Sequence, residues 1–261
     1  MIKLALFMCL AIVIGYFIGN INFARIFSKA FSGKDITKVG SKNPGTMNML
    51  RTRNLGEALL TLIFEAIKSG VPALICYFLF ERMEAGFGDI AYFSVALAVI
   101  VGHCFPVIFK FKGGKGVACT FGMFLFHPTF WWMTLIAFVA CFILFLFVKY
   151  AFLITLGFCV SMSTCATVFF CLRTPWQFRI PLIILVWLNF LFLIFMHRGN
   201  IQRLAMGVEN EINFREKLSG KKQNVEQNKT EEDAAEQNIA EETEKPAEEK
   251  PAGEEKDNEQ K

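Results

Sequence analysis

Seven apolar runs, at residues 4–24, 55–80, 88–109, 115–126, 130–148, 151–172 and 180–196, constrain this chain more than any other feature. A bilayer core is crossed by about 20 apolar residues in a helix, and all but the fourth run come near that length. The fourth, with about 12 residues, is either a short span or a re-entrant half-helix. Hydrophobic residues make up 54% of the sequence and phenylalanine occupies 30 positions, so most of the chain must face lipid or pack among helices. The expected fold is an all-α integral membrane protein with about seven transmembrane helices, one of them short.

Loop charge gives an orientation. Residues 25–54 carry Arg25, Lys29, Lys34, Lys38, Lys42, Arg51 and Arg53 against Asp35, which places that loop in the cytoplasm. Glu81, Glu84 and Asp89 against Arg82 put the next connection outside, and Lys110, Lys112 and Lys115 bring the chain back inside. If the short run crosses, Lys149 falls inside, Arg173 and Arg179 outside, and Arg198 and Arg203 inside. If it does not cross, the basic 197–222 region lies outside, a worse fit. Seven crossings with the N-terminus outside and the C-terminus cytoplasmic are therefore expected, and three polar stretches then share the cytoplasmic face.

Residues 226–261 contrast with all of this, holding 14 acidic and 5 basic side chains and no aromatic residue. Such a segment cannot bury enough apolar surface to offset the entropy of ordering it. The expected organisation is a membrane domain over 1–210 and a charged cytoplasmic tail over 211–261, disordered from about 226. Residues 1–225 retain 22 basic and 9 acidic groups, an excess that suits anionic lipid headgroups or phosphorylated substrates. No nucleic-acid partner is expected. The eight cysteines lie in or beside apolar runs without C-x-x-C or other metal-type spacing, so no disulfide frame, metal or cofactor is expected. The N-terminal run lacks a small-residue cleavage site and reads as an uncleaved first helix.

The stretch Gly102–Gly122, GHCFPVIFKFKGGKGVACTFG, interrupts the apolar pattern with Lys110, Lys112 and Lys115 and the glycines Gly113, Gly114 and Gly116. Glycines let backbone N–H groups curl around an anion, a lysine supplies charge, and a helix beginning near Gly116 would aim its N-terminal amides at the same place. The P-loop pattern does not fit, because Gly116 rather than Ser or Thr follows Lys115. A plain basic turn at the headgroups is the competing reading. Residues 40–56, GSKNPGTMNMLRTRNLG, offer hydroxyl, amide and guanidinium donors in Ser41, Asn43, Asn48 and Arg51, or else merely cap the second span. On that span Glu57, Thr61, Glu65 and Lys68 share one helix face, so Glu65 and Lys68 either neutralise each other or meet a substrate, and Pro72 is expected to loosen the helix beyond them. Residues 197–209, HRGNIQRLAMGVE, place His197, Asn200, Arg203 and Glu209 after the last span, with His197 able to act as base, donor, phosphate ligand or headgroup contact.

Taken together, these stretches resemble the bacterial acyl-phosphate-dependent glycerol-3-phosphate acyltransferases of the PlsY family, from about Gly15 to Glu209. The family's first motif, near GSGNPGATNVLR, is met by GSKNPGTMNMLR, with Lys42 where glycine is usual and Thr46-Met47 where Ala-Thr is usual. Its second, near GHxFPvFlkFKGGKGVAT, is met almost throughout, with Cys119 in place of threonine. Its third, near HRxNIxRLxxGxE, is met by His197, Arg198, Asn200, Ile201, Arg203, Leu204, Gly207 and Glu209. The E-x-x-K-x-x-x-P of the second span is similar to the family's D-x-x-K-G-x-x-P, with Ser69 at the glycine.

The resemblance implies an enzyme that moves a fatty acyl group from acyl phosphate to the 1-hydroxyl of glycerol 3-phosphate, the first acylation of phospholipid synthesis. It implies a cytoplasmic-face site in a bacterial cell membrane, membrane lipid as surroundings, and an upstream enzyme that makes the acyl phosphate. By position, Ser41, Lys115, His197 and Asn200 are expected to be catalytic. Asn43, Asn48, Arg51, Lys68, His103, Gly113, Gly114, Gly116 and Arg203 are expected to bind substrate, with Glu65 and Glu209 as structural support. No histidine has an aspartate five residues on, so the hydroxyl proton goes either to the departing phosphate or to His197. Lys42 is expected to oppose a left-handed backbone, and Met47 and Cys119 each remove a hydroxyl. Two other classes compete: a transporter, which predicts midplane polar groups and an internal repeat, and a scaffold recruiting partners through its tail. No repeat is visible, and a scaffold leaves the glycine pattern unexplained.

Overall fold

A computed structural model of the chain describes residues 2–209 and 211. The expected disorder beyond 226 lies outside the described residues. Ten α-helices occur among the described residues, with no strand: α1 Ile2–Gly19, α2 Phe23–Ser32, α3 Thr46–Thr52, α4 Leu55–Met83, α5 Gly88–Cys104, α6 Val117–Leu125, α7 Trp131–Phe145, α8 Ala151–Arg173, α9 Trp176–Met196 and α10 Arg198–Ala205.

Five stretches are long and apolar enough to cross a membrane: Ile2–Ser32, Leu55–Met83, Gly88–Phe109, Ala151–Arg173 and Trp176–Met196. At about 1.5 Å per residue, α7 rises about 22 Å and α6 about 13 Å, short of the roughly 30 Å hydrocarbon core. The outer surface is apolar, with Phe7, Phe17, Ile136 and Val139 among the exposed side chains. This is the architecture of an all-α integral membrane protein.

Small residues let the helices approach. A Cβ on Gly19 of α1 would lie 2.9 Å from the Cα of Gly102 on α5, and one on Gly122 of α6 would lie 2.6 Å from the Cα of Ala66 on α4. Close backbone approach of this kind drives helix association in lipid, where apolar burial supplies little. At the end of the bundle away from the polar loops, His127 sits in a box of Tyr92, Phe93 and Phe130. Its Nδ1 accepts from the Thr129 amide at 3.1 Å, leaving Nε2–H to donate to Asp89 at 3.1 Å.

Two local departures from expectation have clear causes. The first apolar run ends at Gly19 because Asn20 and Asn22 break it, and Asn22 then caps α2 by accepting from the Arg25 amide at 2.9 Å. Gly33, at φ +67°, closes α2, so a helix stands where a loop was expected. Pro72 lies inside α4, which continues through it to Met83.

Candidate active site

The lysine–glycine loop is held flat on the end of α5. The Gly113 amide donates to Cys104 O and the Gly114 amide to His103 O, both at 3.1 Å. A Cβ at Gly113 would come within 2.6 Å of Pro106 Cδ, and one at Gly114 within 2.9 Å of His103 Cε1. These glycines therefore permit close packing, and their amides are not turned to an anion as expected. Gly116 does take a left-handed backbone, at φ +84°, and caps α6. The first-turn amides of α6 have no carbonyl within the helix and carry its positive dipole end beside Lys115.

The third stretch closes over that lysine. Lys115 Nζ donates to Asn200 Oδ1. Asn200 Nδ2 in turn donates to Glu209 Oε1 at 2.5 Å, and Arg203 Nε donates to Glu209 Oε2 at 2.9 Å. Burial chiefly, with the charges of Arg203 and Arg51 adding and Glu209 opposing, lowers Lys115 to a pKa of about 8. Arg51, on α3, is lowered chiefly by burial, with Glu209 opposing and Arg203 adding. Helix α3, the lysine loop and the segment after α9 thus meet around one cluster of charge.

His197 caps α9 and is buried, its ring stacked on Phe152 of α8 at 6.3 Å. Its Nδ1 lies 2.8 Å from Leu193 O, a carbonyl that can only accept. That geometry assigns the proton to Nδ1 and leaves Nε2 with the lone pair. Burial pulls its pKa down to about 4; the Leu193 bond opposes this and the charge of Lys115 reinforces it. The imidazole is neutral at physiological pH.

In the first stretch, Asn48 turns out to be a brace. It is buried, its Oδ1 accepts from the Ser41 amide at 2.9 Å, and its Nδ2 donates to Ile36 O and Val39 O, each at 3.1 Å. Expected to bind substrate, this side chain instead gives both amide hydrogens and an acceptor bond to the backbone of residues 36–41. Pro44 O accepts from Asn22 Nδ2 at 3.1 Å, tying the loop to the start of α2. Ser41 is exposed and Asn43 half-buried on this loop, which leads directly into α3 and Arg51. Lys42 adopts φ +57°, the left-handed conformation its side chain was expected to oppose.

Lys68 and His103, also expected to bind substrate, lie instead in a second, buried cluster with Glu65. Lys68 Nζ bonds Glu65 Oε2 at 2.5 Å, Gly19 O at 3.2 Å and Ile21 O. His103 Nδ1 is 3.1 Å from the same carboxylate oxygen and 3.0 Å from Nζ, and Glu65 Oε1 accepts from the Phe23 amide at 2.9 Å. Cys119 Sγ reaches Glu65 Oε2 at 3.6 Å. The cluster knots α1, α4, α5 and α6 together directly beneath Gly114. Donor atoms of Glu65, His103 and Cys119 lie within 4.8 Å of one another, a spacing a metal ion would accept, but the Lys68 ammonium already neutralises the carboxylate. Asn22 and Phe152 neighbour these clusters from outside the three motif stretches; the pair of asparagines inside an apolar run marks the first, and nothing in the sequence marks the second.

A family model described as glycerol-3-phosphate acyltransferase matches residues 9–207. A glycerol-3-phosphate acyltransferase of Burkholderia vietnamiensis (strain G4 / LMG 22486) is 35% identical over 214 residues, which cover 80% of this chain and 93% of the relative. One from Neisseria meningitidis serogroup B (strain ATCC BAA-335 / MC58) is 35% identical over 206 residues, covering 77% and 96%. Among solved structures, the glycerol 3-phosphate form of PlsY, an integral membrane glycerol 3-phosphate acyltransferase, superposes with a TM-score of 0.65 at 28% identity, covering 81% of this chain and 98% of that one. Its lysophosphatidic acid form superposes at 0.64 with 27% identity.

Proposed function

The chain belongs to the glycerol-3-phosphate acyltransferase family, and we propose that it takes its acyl group from a fatty acyl phosphate and delivers it to the 1-hydroxyl of sn-glycerol 3-phosphate. The products are 1-acyl-sn-glycerol 3-phosphate (lysophosphatidate) and inorganic phosphate. The observation that carries this reading is the charge around Lys115: Lys115, Arg51 and Arg203 against the carboxylate of Glu209, at the amide end of α6. Both substrates and both products bear phosphate, and such an excess of positive charge suits them. Related PlsY structures in glycerol 3-phosphate and lysophosphatidic acid forms support the same pair of ligands.

Lys115 and the first-turn amides of α6 hold the phosphate of the donor and stabilise the charge that gathers on it as it leaves. Ser41, Asn43 and Arg51 orient glycerol 3-phosphate, and Arg203 is fixed by Glu209 at the edge of the cluster. A new ester C–O bond forms at the acyl carbon as its bond to the phosphate oxygen breaks. The hydroxyl proton goes to the departing phosphate, whose oxygen gains negative charge as the acyl bond breaks and is a stronger base than a histidine near 4. His197 positions the hydroxyl through the lone pair on Nε2, and Asn200 fixes Lys115.

The chain is a multi-pass bacterial membrane protein. The basic 25–54 and 110–115 stretches support a cytoplasmic face for the site; on this reading the short α6 and α7 complete seven crossings, and an upstream enzyme on the same side supplies the acyl phosphate. A transporter would need solute-facing polar groups within the helices. The polar cluster there, Glu65–Lys68–His103, is occupied with itself and with the α1–α2 backbone.

The test is a donor panel. Purified protein in liposomes receives labelled glycerol 3-phosphate with acyl phosphate, acyl-coenzyme A or acyl-carrier protein. Lysophosphatidate from acyl phosphate alone is expected; formation only from either thioester would overturn the assignment.

A further inference from the structure

Between α5 and the lysine–glycine loop lies a hairpin, Val107–Lys112, that acyl transfer leaves unused. A 3-10 turn over Val107–Phe109 is closed by the Phe111 amide on Pro106 O at 2.9 Å and the Lys112 amide on Phe109 O at 3.1 Å. Lys110 and Phe111 then adopt left-handed backbones in succession, at φ +53° and +60°. Side chains make that conformation unfavourable, so two in a row persist only where the surroundings impose them. The result is an outward-facing tip: Ile108 is 61% and Phe111 59% exposed, with Lys110 and Lys112 exposed beside them. Phe109 turns the other way and carries the Arg25 guanidinium 4.1 Å above its ring, which braces the tip against α2.

The depth of this tip follows from the helix before it. The apolar stretch Gly88–Phe109 comprises α5, which rises about 25 Å over its 17 residues, and the 3-10 turn that follows it, so its end lies near the edge of the roughly 30 Å hydrocarbon core. Lys110 and Lys112 therefore emerge at the headgroup layer, while Ile108 and Phe111 stand where acyl chains begin. An aqueous surface gives no reason to hold these two apolar side chains outward at the expense of backbone strain.

We propose that the Val107–Lys112 hairpin is an anionic-lipid anchor. Ile108 and Phe111 enter the leaflet, and the ammonium groups of Lys110 and Lys112 hold the phosphates of anionic headgroups. Because the Gly113 and Gly114 amides bond straight back to the end of α5, the anchor fixes the height of Lys115 relative to the bilayer. The lipid contact is independent of which acyl donor the enzyme uses.

Full-length protein in mixed micelles of phosphatidylcholine and phosphatidylglycerol tests this by native mass spectrometry, with turnover measured in vesicles of the same lipids. The informative variant is Lys110→Asn with Lys112→Gln, since asparagine tolerates the left-handed backbone and so preserves the fold; Lys110→Arg with Lys112→Arg is the charge-preserving control. Each lysine near an anionic surface favours contact about five-fold, so the neutral pair should hold phosphatidylglycerol about 25-fold more weakly and lose any stimulation by it, while the arginine pair matches wild type. Equal phosphatidylglycerol retention by wild type and the neutral pair would overturn the proposal. So would a raised KM for glycerol 3-phosphate in pure phosphatidylcholine with lipid retention unchanged, since the lysines would then be collecting free phosphorylated substrate.

Discussion

Lys115 and Asn200 stand 85 residues apart in sequence and share a hydrogen bond from the lysine Nζ to the amide Oδ1. Asn200 cannot rotate away, because its Nδ2 is held by Glu209, which also holds Arg203. The lysine therefore points where a carboxylate-anchored frame directs it, with burial first and two guanidinium groups second lowering its proton affinity. Its charge is the one we propose meets the donor phosphate.

That lowered affinity gives a pH dependence with a definite sign. Lys115 is cationic below its pKa of about 8 and neutral above it. A reaction that needs the cation should lose kcat/KM as pH rises through about 8 in the free enzyme. Lys115→Arg, which stays charged, should lack that alkaline limb even if its activity is reduced. An identical limb in the arginine variant would assign the titration to another group.

Glu209 opposes the lowering of Lys115, so Glu209→Gln should move the alkaline limb to lower pH. The same change loosens Arg203 and one side of Asn200, and a loss of about 10-fold to 100-fold in kcat/KM is expected from about 1.5–3 kcal/mol of charged hydrogen bonding. A limb that stays in place would mean that Glu209 acts only on the fold.

His197 is held neutral by burial, with a pKa of about 4. No acid limb near pH 6.5 should appear in its name, and His197→Gln should keep the form of the pH profile and most of the activity. A loss beyond about 1,000-fold with an altered profile would make His197 the base.

The buried pair Glu65–Lys68 predicts a loss of folding that a second change repairs. Their side chains are 1% and 3% exposed, and removing one partner of such a pair leaves a buried charge at about 3–5 kcal/mol. Glu65→Ala should aggregate in detergent, while Glu65→Leu with Lys68→Met should elute as a folded monodisperse species and keep measurable acyl transfer. A folded but fully inactive double variant would return Lys68 to the substrate.

Lys42→Gly addresses the loop around Ser41. Relieving a left-handed side chain gains about 1–2 kcal/mol and the entropy of glycine takes back about 0.5–1, so a rise in stability of up to about 1.5 kcal/mol is expected. Lys42→Thr, β-branched at φ +57°, should lower the melting point.

Much of this molecule is legible in its residues. The runs at 55–80, 151–172 and 180–196 lie within a few residues of α4, α8 and α9, because hydropathy over 20 residues reports burial in lipid and little else does. The grouping of Lys115, Arg51, Asn200, Arg203 and Glu209 was approachable only through motif resemblance, since nothing in local pattern joins position 51 to 209. Partners of single atoms stayed hidden. Asn48 looks like a donor for substrate until its three bonds to the 36–41 backbone are seen, and the Gly113 and Gly114 amides look free until they meet the end of α5. Lys42 could not be placed from its own preference, because the loop tied down by Asn48 and Asn22 decides its backbone.

The most direct measurement couples the two products in one assay. Wild-type protein in liposomes, given acyl phosphate and glycerol 3-phosphate, should release inorganic phosphate and form lysophosphatidate one for one. Lys115→Ala, confirmed as folded by its elution and melting profile, should lose both together by about 100-fold or more. Undiminished and equal release of both products by that variant would contradict a phosphate site built around Lys115.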